Sequence, residues 1–217
     1  MGRTDNSVAL RLVNFAACDP YILNSGRTGM QSGAKTCRPV WDKYCNDHAR
    51  LFMKAEEIKA RMKRVSIETM LELKPEDFIG REREAVIRQR VDQRAFRQMV
   101  LGNYEGCCAI TGIDIPELLV ASHIKPWSVD KENRLNPANG ICLSALYDRL
   151  FDSGLIGIRE DLTVELSGDL KEQCTKDYFE SHFKWLENHE LNTPIEHRPD
   201  PVFLQYHYEN IFSRHCS

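Results

Sequence analysis

The sequence predicts an α+β fold, on three observations. Apolar residues recur at helical spacing through the first 64 residues and again between about 86 and 101. Residues 117–123 form a short apolar run of strand length. Residues 155–158 and 162–166, on either side of Arg159-Glu160-Asp161, have the form of a hairpin.

Taken in chain order, residues 1–64 read as a helical segment. Thr4, Asp5 or Asn6 supplies an N-cap, Val8, Leu12 and Phe15 mark one face, and Asp19-Pro20 ends the helix. A Gly- and Ser-rich stretch, 24–35, reads as a loop. Val40, Trp41 and Tyr44 restart a helix that continues through Leu51, Phe52, Ala55 and Ile58 to the basic run 59–64. Residues 65–85 read as a connector, marked by Lys74-Pro75-Glu76-Asp77 and Gly80. The segment 86–170 then reads as one domain. It starts with a helix whose core contacts are Val86, Val91, Phe96, Val100 and Leu101, and it holds the strand 117–123, a helix predicted over 140–152, and the hairpin. Residues 171–217 add a helix carrying Tyr178, Phe179, Phe183, Trp185 and Leu186, then a Pro-containing loop and a last helix from Pro201. They read as a helical extension packing on that domain.

At 217 residues the chain suits one substantial domain or two small ones. With 42% hydrophobic and 28% charged residues it has the balance of an ordinary soluble protein. No apolar run reaches the length of a membrane span. The N-terminus lacks the apolar centre of a signal peptide and has Asn6 where a myristoylation motif wants Ser or Thr, so a cytoplasmic location and no membrane partner are expected. A formal charge of −3 argues against a protein that coats nucleic acid nonspecifically. Charge is uneven, however: six arginines (81, 83, 88, 90, 94 and 97) face three acids (Glu82, Glu84 and Asp92) in one segment. Such a run either neutralises phosphates locally or forms a solvated face with intrahelical ion pairs.

The eight cysteines contain no C-x-x-C pair and no disulfide framework, so reduced, mostly buried thiols are expected. Cys107 and Cys108 are adjacent, a poor geometry for two ligands of one tetrahedral zinc, and no structural zinc is expected.

The chemistry concentrates around Ser122-His123-Ile124-Lys125-Pro126-Trp127. Asn139 follows in Asn136-Pro137-Ala138-Asn139-Gly140, and Tyr147 in Leu143-Ser144-Ala145-Leu146-Tyr147-Asp148-Arg149-Leu150-Phe151-Asp152. A histidine closing a strand, an asparagine in the next turn and a polar position on the next helix resemble the HNH nucleases, with their ββα-metal site. Phe96-Arg97-Gln98-Met99-Val100-Leu101, Cys108-Ala109-Ile110-Thr111-Gly112, Arg134 and Phe151-Asp152-Ser153-Gly154-Leu155 extend the resemblance to the HNH domain of bacterial restriction-type endonucleases. Gly2-Arg3-Thr4, Ser7-Val8-Ala9, Asn14-Phe15-Ala16 and Asp19-Pro20 resemble the segment ahead of that domain. There it follows further helices, so residues 1–64 read as a truncated start or as an incomplete DNA-contacting module.

The resemblance implies a ββα-metal core with flanking helices, DNA as partner, and hydrolysis of phosphodiester bonds aided by a divalent ion. Mg²⁺ is the first candidate, with Mn²⁺ or Ni²⁺ as alternatives. It allows a homodimer, since many nucleases that cut both strands act as dimers. His123 is then the general base, and Asn139 braces the loop that carries it. At the third position, where the family usually has histidine, stands Tyr147. A neutral phenol is a poor ligand for Mg²⁺. Asp148 takes over as ligand although it points about 100° away from residue 147 on a helix, or the ion is held by water and phosphate, or Tyr147 acts as a nucleophile, or the site is dead. Lys125, Arg134, Arg94 and Arg97 are the candidate contacts to DNA phosphates. Asp152 is expected to cap the helix or pair with Arg149. Two functions therefore stand side by side: a metal-dependent endonuclease, or a degenerate HNH fold that binds DNA or a protein partner without cleaving.

Overall fold

The computed structural model describes residues 4–74 and 81–215, with no side-chain description of Arg81. Residues 1–3, which carry part of the expected N-terminal resemblance, and residues 75–80 of the expected connector lie outside the described residues. The chain divides into two compact units, residues 1–77 and 78–217.

The first unit is helical: α1 (Asp5–Ala16), α2 (Pro20–Asn24), α3 (Gln31–Tyr44), α4 (His48–Lys63) and α5 (Ile67–Met70). Asp19 caps α2 by accepting from the Tyr21 N–H, with Pro20 at the first helical position, so the Asp19-Pro20 break ends one helix and starts the next. Two expectations change here. Helix α3 begins at Gln31, inside the stretch read as loop. And Val8 and Leu12 are 49% and 65% exposed, whereas Asn14, Ala17 and Cys18 are buried. The small residues explain the second change. A Cβ on Gly33 would fall 2.2 Å from the Asn14 Cγ, so glycine brings α3 close to the Asn14 side of α1, and Ala17, Cys18, Ala34 and Cys37 form the core there.

The second unit is built on α6 (Arg81–Asn103), which starts earlier than residue 86, with Glu82 and Glu84 in a first turn where the helix dipole favours acids. Its buried positions Val91, Ala95, Phe96 and Val100 recur at helical spacing. Across them lies an antiparallel pair, β1 (Leu119–His123) and β2 (Gly140–Ser144), in register Leu119↔Ser144 through His123↔Gly140. Helix α7 (Ala145–Asp152) follows directly, which completes a ββα unit. The helix predicted over 140–152 is therefore half strand. All five β2 residues are buried, and a strand covered on both faces shows no alternation by which to tell it from a helix.

A second hairpin, β3 (Ile156–Ile158) with β4 (Val164–Leu166), stands where the sequence placed it. Helices α8 (Gly168–Lys171), α9 (Asp177–His182) and α10 (Pro201–Asn210) complete an α+β unit. The C-terminal segment shares the main core: Leu186, Leu191, Phe203 and Leu204 cluster with Val100, Ile141 and Phe151. Asn103, at the end of α6, fixes the approach to α10 by donating to the His197 carbonyl and accepting from the Glu196 and His197 N–H groups. Among the described residues no helix is long and apolar enough to cross a membrane.

His207 on α10 is 2% exposed, stacks on Phe151 at 3.6 Å, and donates from Nε2 to the Phe151 carbonyl at 2.9 Å. Burial pushes its pKa down to about 4, against the opposing effect of that hydrogen bond. The unfolded chain takes up this proton near pH 6.5 and the folded chain does not. Its contribution is therefore complete above about pH 6.5 and is lost as pH falls toward 4, by roughly 3 kcal/mol in all. Thermal melts from pH 7 to 4.5 should show a falling midpoint, and His207→Gln, which retains a donor without the titration, should fall less steeply.

Candidate active site

Between His123, the last residue of β1, and Gly140, the first of β2, the chain makes a loop that closes on Asn139. That side chain is 1% exposed and hydrogen-bonded on both ends. Its Oδ1 accepts from the Lys125 N–H at 2.8 Å, and its Nδ2 donates to the Lys125 carbonyl at 3.1 Å and to the Asn133 carbonyl at 3.4 Å. The Ile124 N–H donates to the Asn139 carbonyl at 3.0 Å. One amide thus extends the ribbon by two residues beyond His123. Asn136 helps by capping the short turn 137–139 through the Ala138 N–H.

His123 is held from three sides. Its ring stacks on Phe96 of α6 at 3.6 Å and 11°, and meets Trp127 edge-on at 5.4 Å. Gly140 makes the first contact possible, since a Cβ there would lie 2.8 Å from the Phe96 Cζ and 2.4 Å from a Val100 methyl. The His123 Nε2 sits 3.1 Å from the Arg134 carbonyl. A carbonyl only accepts, so Nε2 carries the proton and Nδ1 holds the lone pair. Burial lowers the pKa, the hydrogen bond to Arg134 opposes this, and the Arg134 charge adds to the lowering. The imidazole is neutral at neutral pH and able to accept a proton at Nδ1.

Successive strand residues face opposite ways, so Ser122 points away from the Phe96 side. Its hydroxyl is buried. The Asp148 carboxyl of α7 lies beside it, raised in pKa by burial, with hydrogen bonding from the Ser122 hydroxyl and the Arg149 charge acting to lower it. Asp152 follows one helical turn later and is pushed up to about 6, by burial first and then by the Asp148 charge. Asp152 is exposed as a residue, so the repulsion from Asp148 is the part that bears on the site. No Arg149–Asp152 ion pair forms among the described residues, contrary to expectation.

Tyr147 belongs elsewhere. It is 8% exposed, joins the core with Leu143, Leu150 and Phe151, and meets Trp185 edge-on at 6.1 Å. Burial, with a smaller effect from Cys108, raises its pKa, so the phenol stays protonated at neutral pH. A protonated phenol in the core is suited to be neither ligand nor nucleophile.

Residues 108–159 match the family model described as HNH endonuclease. The match covers the segment that holds His123, Asn139 and Tyr147. No curated protein matches the chain significantly. Among solved structures it is similar to a protein titled "Modification dependent TagI restriction endonuclease", at 19% identity and a TM-score of 0.36, over 54% of this chain and 37% of that one. The chain thus spans little more than a third of that protein.

Around the HNH domain, the expected phosphate contacts are mostly engaged with the protein. Lys125 pairs with Asp130 at 3.0 Å and lies over the Tyr206 ring at 5.1 Å. Arg134 donates from Nε to the Trp127 carbonyl and covers the Trp127 ring at 4.9 Å. Arg97 donates to the Leu119 and Pro116 carbonyls at 2.7 and 2.9 Å, which fastens α6 to the entry of β1. Arg94 is half-buried on the same helix. Arg97 and Arg134 therefore position the HNH site whatever they contribute to DNA contact.

Sequence reasoning missed the roles of Phe96, Ser122 and the Arg134 carbonyl. Phe96 and Arg134 lie within the stretches that carry the family resemblance, and Ser122 precedes the histidine directly, but stacking, proximity to Asp148 and backbone acceptance leave no mark on residue type. Asn139→Ala should cost about 1–3 kcal/mol, because it strands buried backbone groups of Lys125. Tyr147→Phe should stay within about 0.5 kcal/mol of the wild type. Urea unfolding of both variants checks the pair.

Proposed function

We propose that this chain is a metal-dependent endonuclease of restriction type that hydrolyses DNA phosphodiester bonds. The observation that carries the reading is the state of His123: a neutral imidazole whose Nε2 is anchored on the Arg134 carbonyl, leaving Nδ1 as a fixed proton acceptor. Hydrolysis needs an activated water, and a base of this kind contributes about 10²- to 10⁴-fold to such a step. In this reading Nδ1 removes the proton of the attacking water, while Asn139 keeps the loop 124–139 from moving the ring.

A divalent cation would be held by the Asp148 carboxylate and the Ser122 hydroxyl, with Asp152 one turn away. The buried Ser122 hydroxyl beside Asp148, and two carboxyls both raised chiefly by burial, form an oxygen set that a hard cation would satisfy. When bound, such an ion neutralises phosphoryl charge and stabilises the departing oxygen. Mg²⁺ fits a site with one or two carboxylates, the rest of its shell being water and phosphate. Asp148, not Tyr147, is thus the residue we assign to the third position. One phosphodiester would lie across the end of β1, within reach of both faces. Lys125 and Arg134, at the rim, would meet the flanking phosphates.

One observation favours the second reading, a degenerate HNH fold that binds without cleaving. Among the described residues no three His, Cys, Asp or Glu side chains gather as a metal-ligand group. Nicking of supercoiled plasmid with Mg²⁺, Mn²⁺ or EDTA separates the two. The proposal expects metal-dependent nicking that falls about a hundredfold or more in His123→Ala, with DNA affinity within a few-fold. Absence of nicking with every metal, from folded protein that binds DNA, would favour the binding module.

A further inference from the structure

Next to His123, on the side away from Asp148, a cleft of about 640 Å³ opens between α6 and the 127–134 loop. Glu84, Arg88 and Asp92, at successive helical turns, form one wall, and Trp127, Ser128 and Arg134 the other. This volume falls in the range of small-ligand sites. Two acids and two arginines leave the lining without net charge, so it is not built to collect phosphate. What distinguishes it is Asp92: one carboxylate oxygen is buried and has no hydrogen-bond donor, although Arg88 and Arg134 lie near enough to act on its charge. A buried acceptor without a donor is costly, and a ligand N–H would satisfy it. The opposite wall presents an indole with an arginine over its face, a pairing on which unstacked bases lie well.

We propose that this cleft takes an unstacked nucleobase bearing an exocyclic amine, cytosine, from the strand whose phosphate reaches His123. The inference rests on the nuclease reading for its substrate and names that substrate's base preference. Cytosine offers its N4 amine, the group that Asp accepts from in base recognition. The Asp92 oxygen receives one amine hydrogen, and the ring lies against the Trp127–Arg134 wall. Trp127 touches the His123 ring, so an occupied cleft fixes the strand beside the base.

The test reads binding without cleavage, so it holds whether or not the chain proves to be a nuclease. Fluorescence anisotropy of labelled (dC)12 and (dT)12 in EDTA at fixed salt should show (dC)12 bound about fivefold to tenfold more tightly. Replacing the cytosines by 2-pyrimidinone, which lacks the amine, should remove that preference on the unaltered protein. Asp92→Leu should bring the dC/dT affinity ratio to about one; the ratio is the readout because loss of a negative charge strengthens all DNA binding alike. A wild-type ratio near one, no binding of either oligonucleotide, or a preference that survives both changes would overturn the proposal. Plasmid nicking, scored separately, reports on the nuclease reading alone.

Discussion

The hydrogen bonds between the Asn139 amide and the Lys125 backbone are the constraint on which the rest of the site depends. A loop of sixteen residues leaves β1 and returns to β2, and little else in it is regular. Paired on both ends to the backbone of one residue, the amide ends the ribbon at a defined place. That fixes the His123↔Gly140 pairing, and Gly140 leaves room for Phe96 to lie flat on the imidazole. The same loop supplies the Arg134 carbonyl that sets the tautomer. A carboxamide carries donor and acceptor on separate atoms a fixed distance apart and so makes both bonds; a carboxylate only accepts, and a hydroxyl has a single atom for both roles.

The two faces of β1 divide the chemistry. Toward α6, a neutral imidazole is stacked, edged and anchored, which favours a base that does not move. Toward α7, a hydroxyl and two carboxyls come together, and burial raises both carboxyls despite the opposing Arg149 charge. Each arrangement costs folding free energy, since burial disfavours the charged forms of His123 and Asp148 alike. The core beneath, continuous from α6 through the ribbon to α10, offsets that cost.

Much of this was legible in the sequence where the signal is local. The strand ending at His123, the hairpin after Asp152 and the bracing asparagine could each be read from a few adjacent residues. Strand β2 was not, because burial on both faces erases the alternation that marks a strand. The contact face of α1 was misread for a related reason: glycines at 29 and 33 let small and polar residues form the interface, so Val8 and Leu12 face outward. At the third motif position, adjacent residues Tyr147 and Asp148 could not be ranked by spacing alone. The direction each takes from the helix separates them, Tyr147 into the core and Asp148 toward Ser122. The cleft at Asp92 was invisible for a plainer reason, since its walls lie 35 residues or more apart in the chain.

The central claim, that Asp148 and not Tyr147 furnishes the metal face of this HNH domain, is tested most directly by Mn²⁺ binding, followed by water proton relaxation on wild type, Asp148→Ala and Tyr147→Phe. The account predicts that Asp148→Ala loses the bound-ion signal while Tyr147→Phe keeps the wild-type affinity. Binding that survives in Asp148→Ala, or vanishes in Tyr147→Phe while the fold is intact, would contradict it.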